Sequence, residues 1–405
     1  MLYKKIKKGM VFSAAFMALA MALTGCESLE GIELGDFGIK ESQEDEKYQL
    51  IQDYIDEYYL YDVEEEKEQE AKYRALLEGL DDPYSCYYSQ EEYAELMEAY
   101  EGEFCGIGAS FVIRKNEDVP FAVSVFKDSG AEEAGLLAGD RIIAIEGEDI
   151  AGESLDDLVQ IMRGEEGTKV NITVYRESSD EYIDFNITRK KITIETVEYR
   201  MLESNIGYIE VYSFDEPTDE QFMAAIDDLE AQGMQSLIID LRNNGGGLLT
   251  SMVTMLDYIL PEERLIYCLD KNGKNIGSEY STNEHQVELP IVILINGYSA
   301  SASECFSGPM QDYGAATIVG TQSYGKGVMQ QIYELPDGSG IKLTVAAYYT
   351  GGGRNIHGTG ITPDVVVELP DKVESIEDDT QLNKAKEILV EQMKKEESKK
   401  KKETK

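Results

Sequence analysis

Ser236-Leu237-Ile238-Ile239-Asp240-Leu241, running directly into Arg242-Asn243-Asn244-Gly245-Gly246-Gly247, is the stretch on which the fold turns. An almost unbroken aliphatic run reads as a strand covered on both faces, the habit of parallel sheets flanked by helices. The glycines supply a tight turn, and Leu248 to Leu260 then carries a helical apolar pattern. The same order recurs downstream. Leu289 to Ile295 is a second apolar strand that delivers Asn296-Gly297-Tyr298 and Ser299-Ala300-Ser301-Ala302-Ser303-Glu304, followed by a helix through Glu304 to Tyr313 and a third strand at Ala316 to Gly320. Strand, turn and helix in repetition predict parallel strands with their turns gathered on one edge, where α/β proteins usually keep their sites.

The serine-rich turn is the chemical centre of the chain. A hydroxyl is a poor nucleophile near neutrality unless a neighbour takes its proton, and imidazole is scarce, since the only histidines are His285 and His357. Lys326, within Tyr324-Gly325-Lys326-Gly327, is the remaining candidate base. To accept a proton its pKa must fall by about 3 from about 10.4, a change worth about 4 kcal/mol that burial in an apolar pocket can supply. Composition alone does not separate Ser301 from Ser299 and Ser303. His357 sits in a glycine-rich turn, where a structural role is expected, and Cys305 reads as a small buried filler.

Two other motifs fail on detail. Gly320-Thr321-Gln322-Ser323-Tyr324-Gly325-Lys326-Gly327 nearly spells a phosphate-binding loop, but Gly327 stands where a magnesium-binding hydroxyl is needed, and Val328 to Leu335 reads as a strand. Gly297-Tyr298-Ser299-Ala300-Ser301 begins like a hydrolase elbow and lacks its final glycine.

The chain opens with Lys4, Lys5, Lys7 and Lys8, an apolar run from Met10 to Leu23, and Leu23-Thr24-Gly25-Cys26. This resembles a bacterial lipoprotein signal: residues 1–25 are a leader, and Cys26 becomes the lipidated N-terminus, with an ordinary secretory peptide as the alternative. The expected location is exported and lipid-anchored to the outer face of the bacterial cytoplasmic membrane, with residues 26–46 as an acidic flexible linker. A net charge of −42 repels phosphate, so nucleic acid is excluded as a partner. Beyond Cys26 the four cysteines show no CxxC and no Cys/His metal spacing, and no cofactor is implied.

Residues 47–102 read as a small helical domain, with a Tyr- and Leu-rich stripe expected to pack in a core, a break at Asp81-Asp82-Pro83-Tyr84-Ser85, and a capping box at Ser89 to Glu92. Residues 103–190 change to short strands with one helix, Leu155 to Met162. Ser129-Gly130-Ala131 to Leu136 and Ala138-Gly139-Asp140-Arg141 to Ile145 resemble a PDZ domain. The resemblance places a peptide-carboxylate loop at Gly106, Ile107 and Gly108, where backbone N–H groups can converge on a chain end. Residues 191–370 form the α/β part, and 371–405 a charged helix and tail expected to be solvated.

Together these motifs resemble the carboxyl-terminal processing peptidases, a serine protease family with a Ser-Lys dyad and an embedded PDZ domain. The likeness runs from about Tyr48 to Pro370 and includes Asp82-Pro83-Tyr84-Ser85, Asp240 to Gly247, Ser299 to Glu304, Tyr324 to Gly327, and Gly353 to Gly358 with Gly360 to Asp364. It implies a multidomain α+β protein: an α/β protease core of crotonase/Clp-like type, an inserted PDZ domain and a small N-terminal helical domain. It also implies Ser301 as nucleophile, Lys326 as general base, Gln330 as the glutamine that orients the lysine, and an oxyanion hole from the N–H groups of Ala302 and either Gly246 or Gly247. The implied activity is endopeptidase cleavage of proteins captured by their free C-termini, through an acyl-enzyme. Arg163, after the PDZ helix, is a candidate regulator, with a plain surface arginine as its alternative, and the helical ends are compatible with a homodimer. The rival is a catalytically silent PDZ lipoprotein that binds exported proteins.

Overall fold

The protein is described from a computed structural model covering residues 43–114, 117–370, 372 and 375–403. The leader, Cys26 and most of the expected linker lie outside the described residues. The chain divides into two compact units, Met1–Lys67 and Glu68–Lys405.

In the first unit a helix spans Gln43–Tyr58. Its tyrosine stripe was expected to pack inside a core, yet Tyr48, Tyr54 and Tyr58 are 47%, 56% and 69% exposed. The remaining positions are largely acidic or amide, and tyrosine keeps its polar tip in water while stacking its ring, as Tyr54 does on Tyr58 with centroids 6.0 Å apart.

The centre of the second unit is a six-stranded sheet in the order 197–202, 206–211, 236–240, 291–295, 316–320, 365–366. The first pair is antiparallel and the rest parallel. Strands Ser236–Asp240 and Ile291–Ile295 are buried at every position. Their side chains alternate between two layers, as the two-residue period of a strand requires. Leu237, Ile239, Ile291 and Ile293 pack with Phe222, Met252 and Phe306 from the helices Thr218–Ala231, Leu249–Ile259 and Ala302–Asp312. Ile238, Val292 and Leu294 face the opposite layer, where Leu382, Ala385 and Leu389 of the helix Thr380–Glu403 are fully buried. The C-terminal segment is therefore not simply a solvated end. Its first turns cover a sheet face that would otherwise lie open, and the lysine-rich stretch follows only after that duty is done.

A second sheet joins Cys86–Tyr88, Gly340–Thr350, Arg264–Leu269 and Asn275–Tyr280, with Val328–Glu334 also paired to Gly340–Thr350. The short strand Cys86–Tyr88 follows the break at Pro83 and pairs with Gly340–Lys342, which brings Asp82 to Ser85 beside the strand carrying Thr344. The capping box forms as expected, with Ser89 capping the helix Gln90–Glu101.

The PDZ domain has its own sheet, 109–112, 121–125, 141–145, 169–176 and 181–188, and its own core around Ile142, Leu158, Ile172 and Ile187. It leaves and re-enters the core through Glu103–Gly106 and Lys190–Thr193, which pair side by side as an antiparallel ribbon, Phe104 opposite Ile192. Gly102, at φ +62°, ends the preceding helix, and a Cβ there would sit 2.5 Å from Pro217 Cδ.

Candidate active site

The apolar strand Ile291–Ile295 ends at Asn296, and the chain must turn sharply to enter the helix Ala302–Asp312. Ser301 absorbs that turn at φ 56° and ψ −113°, a conformation that is strained for any residue with a side chain. Its two neighbouring serines are committed elsewhere. Ser299 Oγ donates to the Leu241 carbonyl at 2.7 Å and Ser303 Oγ to the Asn244 carbonyl at 2.9 Å, both fully buried. Among the described residues the Ser301 hydroxyl has no such acceptor, and Ser301 lines a cleft of about 680 Å³ together with Gly245, Gly246, Gly247, Lys326 and Gln330.

The glycine turn is clamped against the serine turn. Buried Asn244 accepts the Gly246 N–H on its Oδ1 at 2.8 Å, donates from Nδ2 to the Val211 carbonyl at 2.8 Å, and accepts the Ala300 N–H on its own carbonyl at 3.1 Å. Asn243, at φ 62°, exchanges two hydrogen bonds with Asn296. The fit is close enough to demand glycine: a Cβ on Gly246 would lie 2.8 Å from Ser301 Cβ, and one on Gly247 2.3 Å from the Phe214 carbonyl oxygen. At the start of the same turn, Arg242 forks onto Asp240 and reaches Asp379 at the head of the C-terminal helix.

Glu304 ties the nucleophile turn to the lysine turn. Its side chain is 1% exposed; Oε2 accepts the N–H of Ser301 at 2.9 Å and of Lys326 at 2.8 Å, while Oε1 accepts Gly325 N–H at 2.7 Å and Ser323 Oγ at 2.5 Å. Four donors satisfy a buried carboxylate placed in the first turn of a helix, where the dipole also favours negative charge. The sequence reading treated Glu304 only as part of a motif. Its signal was an acidic residue three positions into a helix that starts at a reactive serine.

Lys326 Nζ lies 5.0 Å from the centre of the Tyr84 ring. Burial, and then the ammonium of Lys342, hold its pKa below the ordinary lysine value, against the opposing pull of Asp82 and Glu304. Gln330 enters the same cleft, but its Nε2 bonds the Val328 carbonyl at 3.2 Å and Thr344 Oγ1 at 3.3 Å; no hydrogen bond joins it to Lys326 among the described residues. Asp82 was also absent from the expected site. Burial raises the pKa of its carboxyl, but hydrogen bonds involving Ser85, Thr344 and the Tyr84 N–H outweigh this and hold it below the usual range. Ser85 Oγ donates to Asp82 at 2.5 Å and accepts the Thr344 N–H at 3.0 Å, so a hydrogen-bonded chain runs from Asp82 to the strand that contacts Gln330.

The remaining expected residues are placed as follows. Gly106 ends the linking ribbon, Ile107 is buried with its carbonyl accepting Ala131 N–H at 2.8 Å, and Gly108, at φ +82°, abuts Ser129 so closely that a Cβ would lie 2.2 Å from Ser129 Cβ. Arg163 is not a free surface arginine: it pairs with Glu98 of the helix Gln90–Glu101 and lies 5.4 Å from the Phe104 ring centre. His357 is exposed, and its backbone abuts Gly327, where a Cβ would meet the His357 nitrogen at 2.3 Å. Cys305 is buried and burial pushes its thiol well up, as a filler would be. Among the described residues no group of three or more His, Cys, Asp or Glu is placed to hold a metal ion.

An α/β core with a strained serine at a helix start, a desolvated lysine in the same cleft and an inserted PDZ domain defines a serine peptidase with a peptide-binding module. Comparison with known proteins agrees. The profile of peptidase family S41 matches residues 205–367 and that of a PDZ domain residues 121–176. The chain is 38% identical over 294 residues to a carboxy-terminal-processing protease of Bartonella bacilliformis, covering 71% of this chain and 67% of that one. It is 34% identical over 355 residues to the carboxy-terminal processing protease CtpA of Bacillus subtilis, covering 87% and 75%. The solved photosystem II D1 C-terminal processing protease is similar over 81% of this chain and 89% of its own, at 26% identity and a TM-score of 0.47. The chain belongs to peptidase family S41, the carboxy-terminal processing serine proteases.

Proposed function

We propose that the protein is an exported endopeptidase in which Ser301 attacks the scissile carbonyl, Lys326 takes and returns the proton, and water then hydrolyses the acyl-enzyme. The observation that carries this reading is one cleft holding an uncommitted serine hydroxyl, a desolvated amine and a glycine turn, with the serine and the amine's backbone hung on one carboxylate. The Ala302 N–H supplies one oxyanion donor. Gly246 already gives its N–H to Asn244, which leaves Gly247 as the second. Gln330 orients the amine after a side-chain rotation away from Thr344.

The loop at Gly106, Ile107 and Gly108 takes the terminal carboxylate of a protein substrate, and the free edge of Ala109–Val112 accepts its backbone by strand addition. Arg163, bonded to Glu98, couples PDZ position to the core. Lipidation at Cys26 tethers the chain to the outer membrane face, and the exposed tyrosines of Gln43–Tyr58 supply an apolar face that a second copy would cover. Casein cleavage by the purified protein beside Ser301→Ala and Lys326→Ala tests the chemistry: both variants should lose it, and equal activity in all three would favour the silent peptide-binding lipoprotein. Palmitate labelling that survives Cys26→Ser would remove the anchor from the scheme.

A further inference from the structure

Two ammonium groups share the cleft. Lys342 lines it beside Lys326, Ser301 and Gln330. The chain has 79 acidic residues against 37 basic ones, yet among the described residues neither lysine has a carboxylate within salt-bridge distance. Two positive charges sharing one half-buried cleft without a carboxylate to offset them cost free energy.

The fold fixes where Lys342 points. It lies opposite Ile332, and Thr344 opposite Gln330, in the ladder between Gly340–Thr350 and Val328–Glu334. Residues two apart on a strand share a face, so Lys342 projects from the same face as Thr344, whose hydroxyl touches Gln330. Its Nζ is anchored by donating to Tyr88 Oη at 2.5 Å, on the strand Cys86–Tyr88. The anchor matters: both amines lie over a tyrosine ring, Lys342 at 5.1 Å and Lys326 at 5.0 Å, but Lys342 also has the Tyr88 hydroxyl to solvate its charge, whereas Lys326 is burdened by burial.

We propose that Lys342 is a positioning residue of the Ser301–Lys326 pair, a positive charge pinned by Tyr88 in the same cleft that favours Lys326 as a proton acceptor. Two like charges are costly in one cleft, and that cost is relieved when Lys326 gives its proton to solvent. The groups acting on Lys326 are Asp82 and Glu304, which favour its charged form, and Lys342, which opposes it, with Tyr84 and Tyr324 adjoining. Around the Tyr88 anchor lie Cys86, Tyr100 and Glu92. Glu101, Asp215 and Glu216 also line the cleft.

The inference rests on the peptidase reading, so its test has two arms. The first is the pH dependence of kcat/KM on a peptide substrate for the wild type, Lys342→Met, Lys342→Gln and Lys342→Arg. Removing the charge should move the acidic limb up by about half to one pH unit, so cleavage below the limb falls about 3- to 10-fold and recovers in alkali, while Lys342→Arg keeps the wild-type limb. The second arm is competitive acetylation of Lys326 across pH, read by peptide mass spectrometry, which reports the amine even in a chain that cleaves nothing. A limb and an acetylation curve that stay put in both Lys342→Met and Lys342→Gln would overturn the proposal. Loss of all Ser301-dependent cleavage in the wild type would sink the peptidase reading alone, leaving the acetylation curve to decide on Lys342.

Discussion

Ser301 and Lys326 donate their backbone N–H groups to the same atom, Oε2 of Glu304, at 2.9 and 2.8 Å. The two residues that must meet for catalysis are thus spaced by a third whose carboxylate holds both of their backbones. Replacing Glu304 with Gln puts an N–H₂ group where two donors now converge, whichever way the amide is turned. Glu304→Gln should lower kcat at least 100-fold with little change in KM, and destabilise the fold by about 3–5 kcal/mol, measured by urea unfolding. A variant of unchanged kcat would show that the shared oxygen does not set the spacing.

The amine's depressed pKa fixes a direction for the pH profile. Lys326 acts without its proton, so cleavage should rise as pH climbs through the lowered value and stay high above it, with the limb below about 10.4. The stability linkage has the same sign. A lysine whose folded pKa lies below its unfolded one weakens the folded state fully at low pH, and this is relieved as pH rises from the folded to the unfolded value. Lys326→Met should therefore abolish cleavage while raising Tm, more at pH 6 than in mild alkali; an equal or lower Tm at both would contradict the burial argument.

Adjacent glycines should differ sharply. Gly246→Ala drives a methyl group to 2.8 Å from Ser301 Cβ at φ +105°, whereas a Cβ on Gly245 meets nothing within 4 Å. A Cβ on Gly246 would also lie 3.0 Å from the Ala302 nitrogen, an assigned oxyanion donor, and displacing one such donor costs about 100- to 1000-fold in kcat in comparable enzymes, so Gly246→Ala should lose activity on that scale and Gly245→Ala only a few-fold. Similar losses in steady-state assays of the two would mean that the turn as a whole, not this contact, matters.

For the PDZ loop the discriminating measurement is binding. Gly108→Ala places Cβ 2.2 Å from Ser129 Cβ and should weaken binding of a fluorescent peptide with a free carboxylate at least 10-fold by anisotropy, while the amidated peptide binds poorly to both proteins. Undiminished binding would move the recognition site elsewhere.

The C-terminal helix should be tested by a cavity and a truncation. Leu389 is fully buried against the sheet, so Leu389→Ala should cost about 2–5 kcal/mol by urea unfolding. A stop after Lys395 removes only the lysine-rich end and should leave Tm unchanged. Loss of folding in that truncation would assign the tail a structural part.

What could be read in advance was local. The strands at 236–241 and 289–295 announce themselves by unbroken aliphatic runs, the turns by glycine, and the helix at 90–101 by its capping box, because each signal lies within a dozen residues. Lysine as the base was legible from the shortage of imidazole, the choice of Ser301 came from the resemblance to the family, and the structure adds why Ser299 and Ser303 are unavailable, a matter of which carbonyls happen to face them. The tie from Asp82 through Ser85 to Thr344 spans most of the chain and left no periodic trace. Lys342 was equally silent, as a lone lysine in a strand reads as a solvated edge until the opposite wall is known. The burial of Leu382 and Leu389 was masked by the lysines that follow them, since a helix with mixed faces is judged by its average charge.

The ribbon formed by Glu103–Gly106 and Lys190–Thr193 brings the start and finish of the PDZ insertion to neighbouring positions. Because the two ends already touch, the host chain closes over almost no gap when the insert is taken out, and beyond the ribbon the Arg163–Glu98 pair ties the module to the core. The ends' proximity means that a different peptide-reading domain with adjacent termini would close the same short gap at this ribbon, losing what the Arg163–Glu98 link contributes.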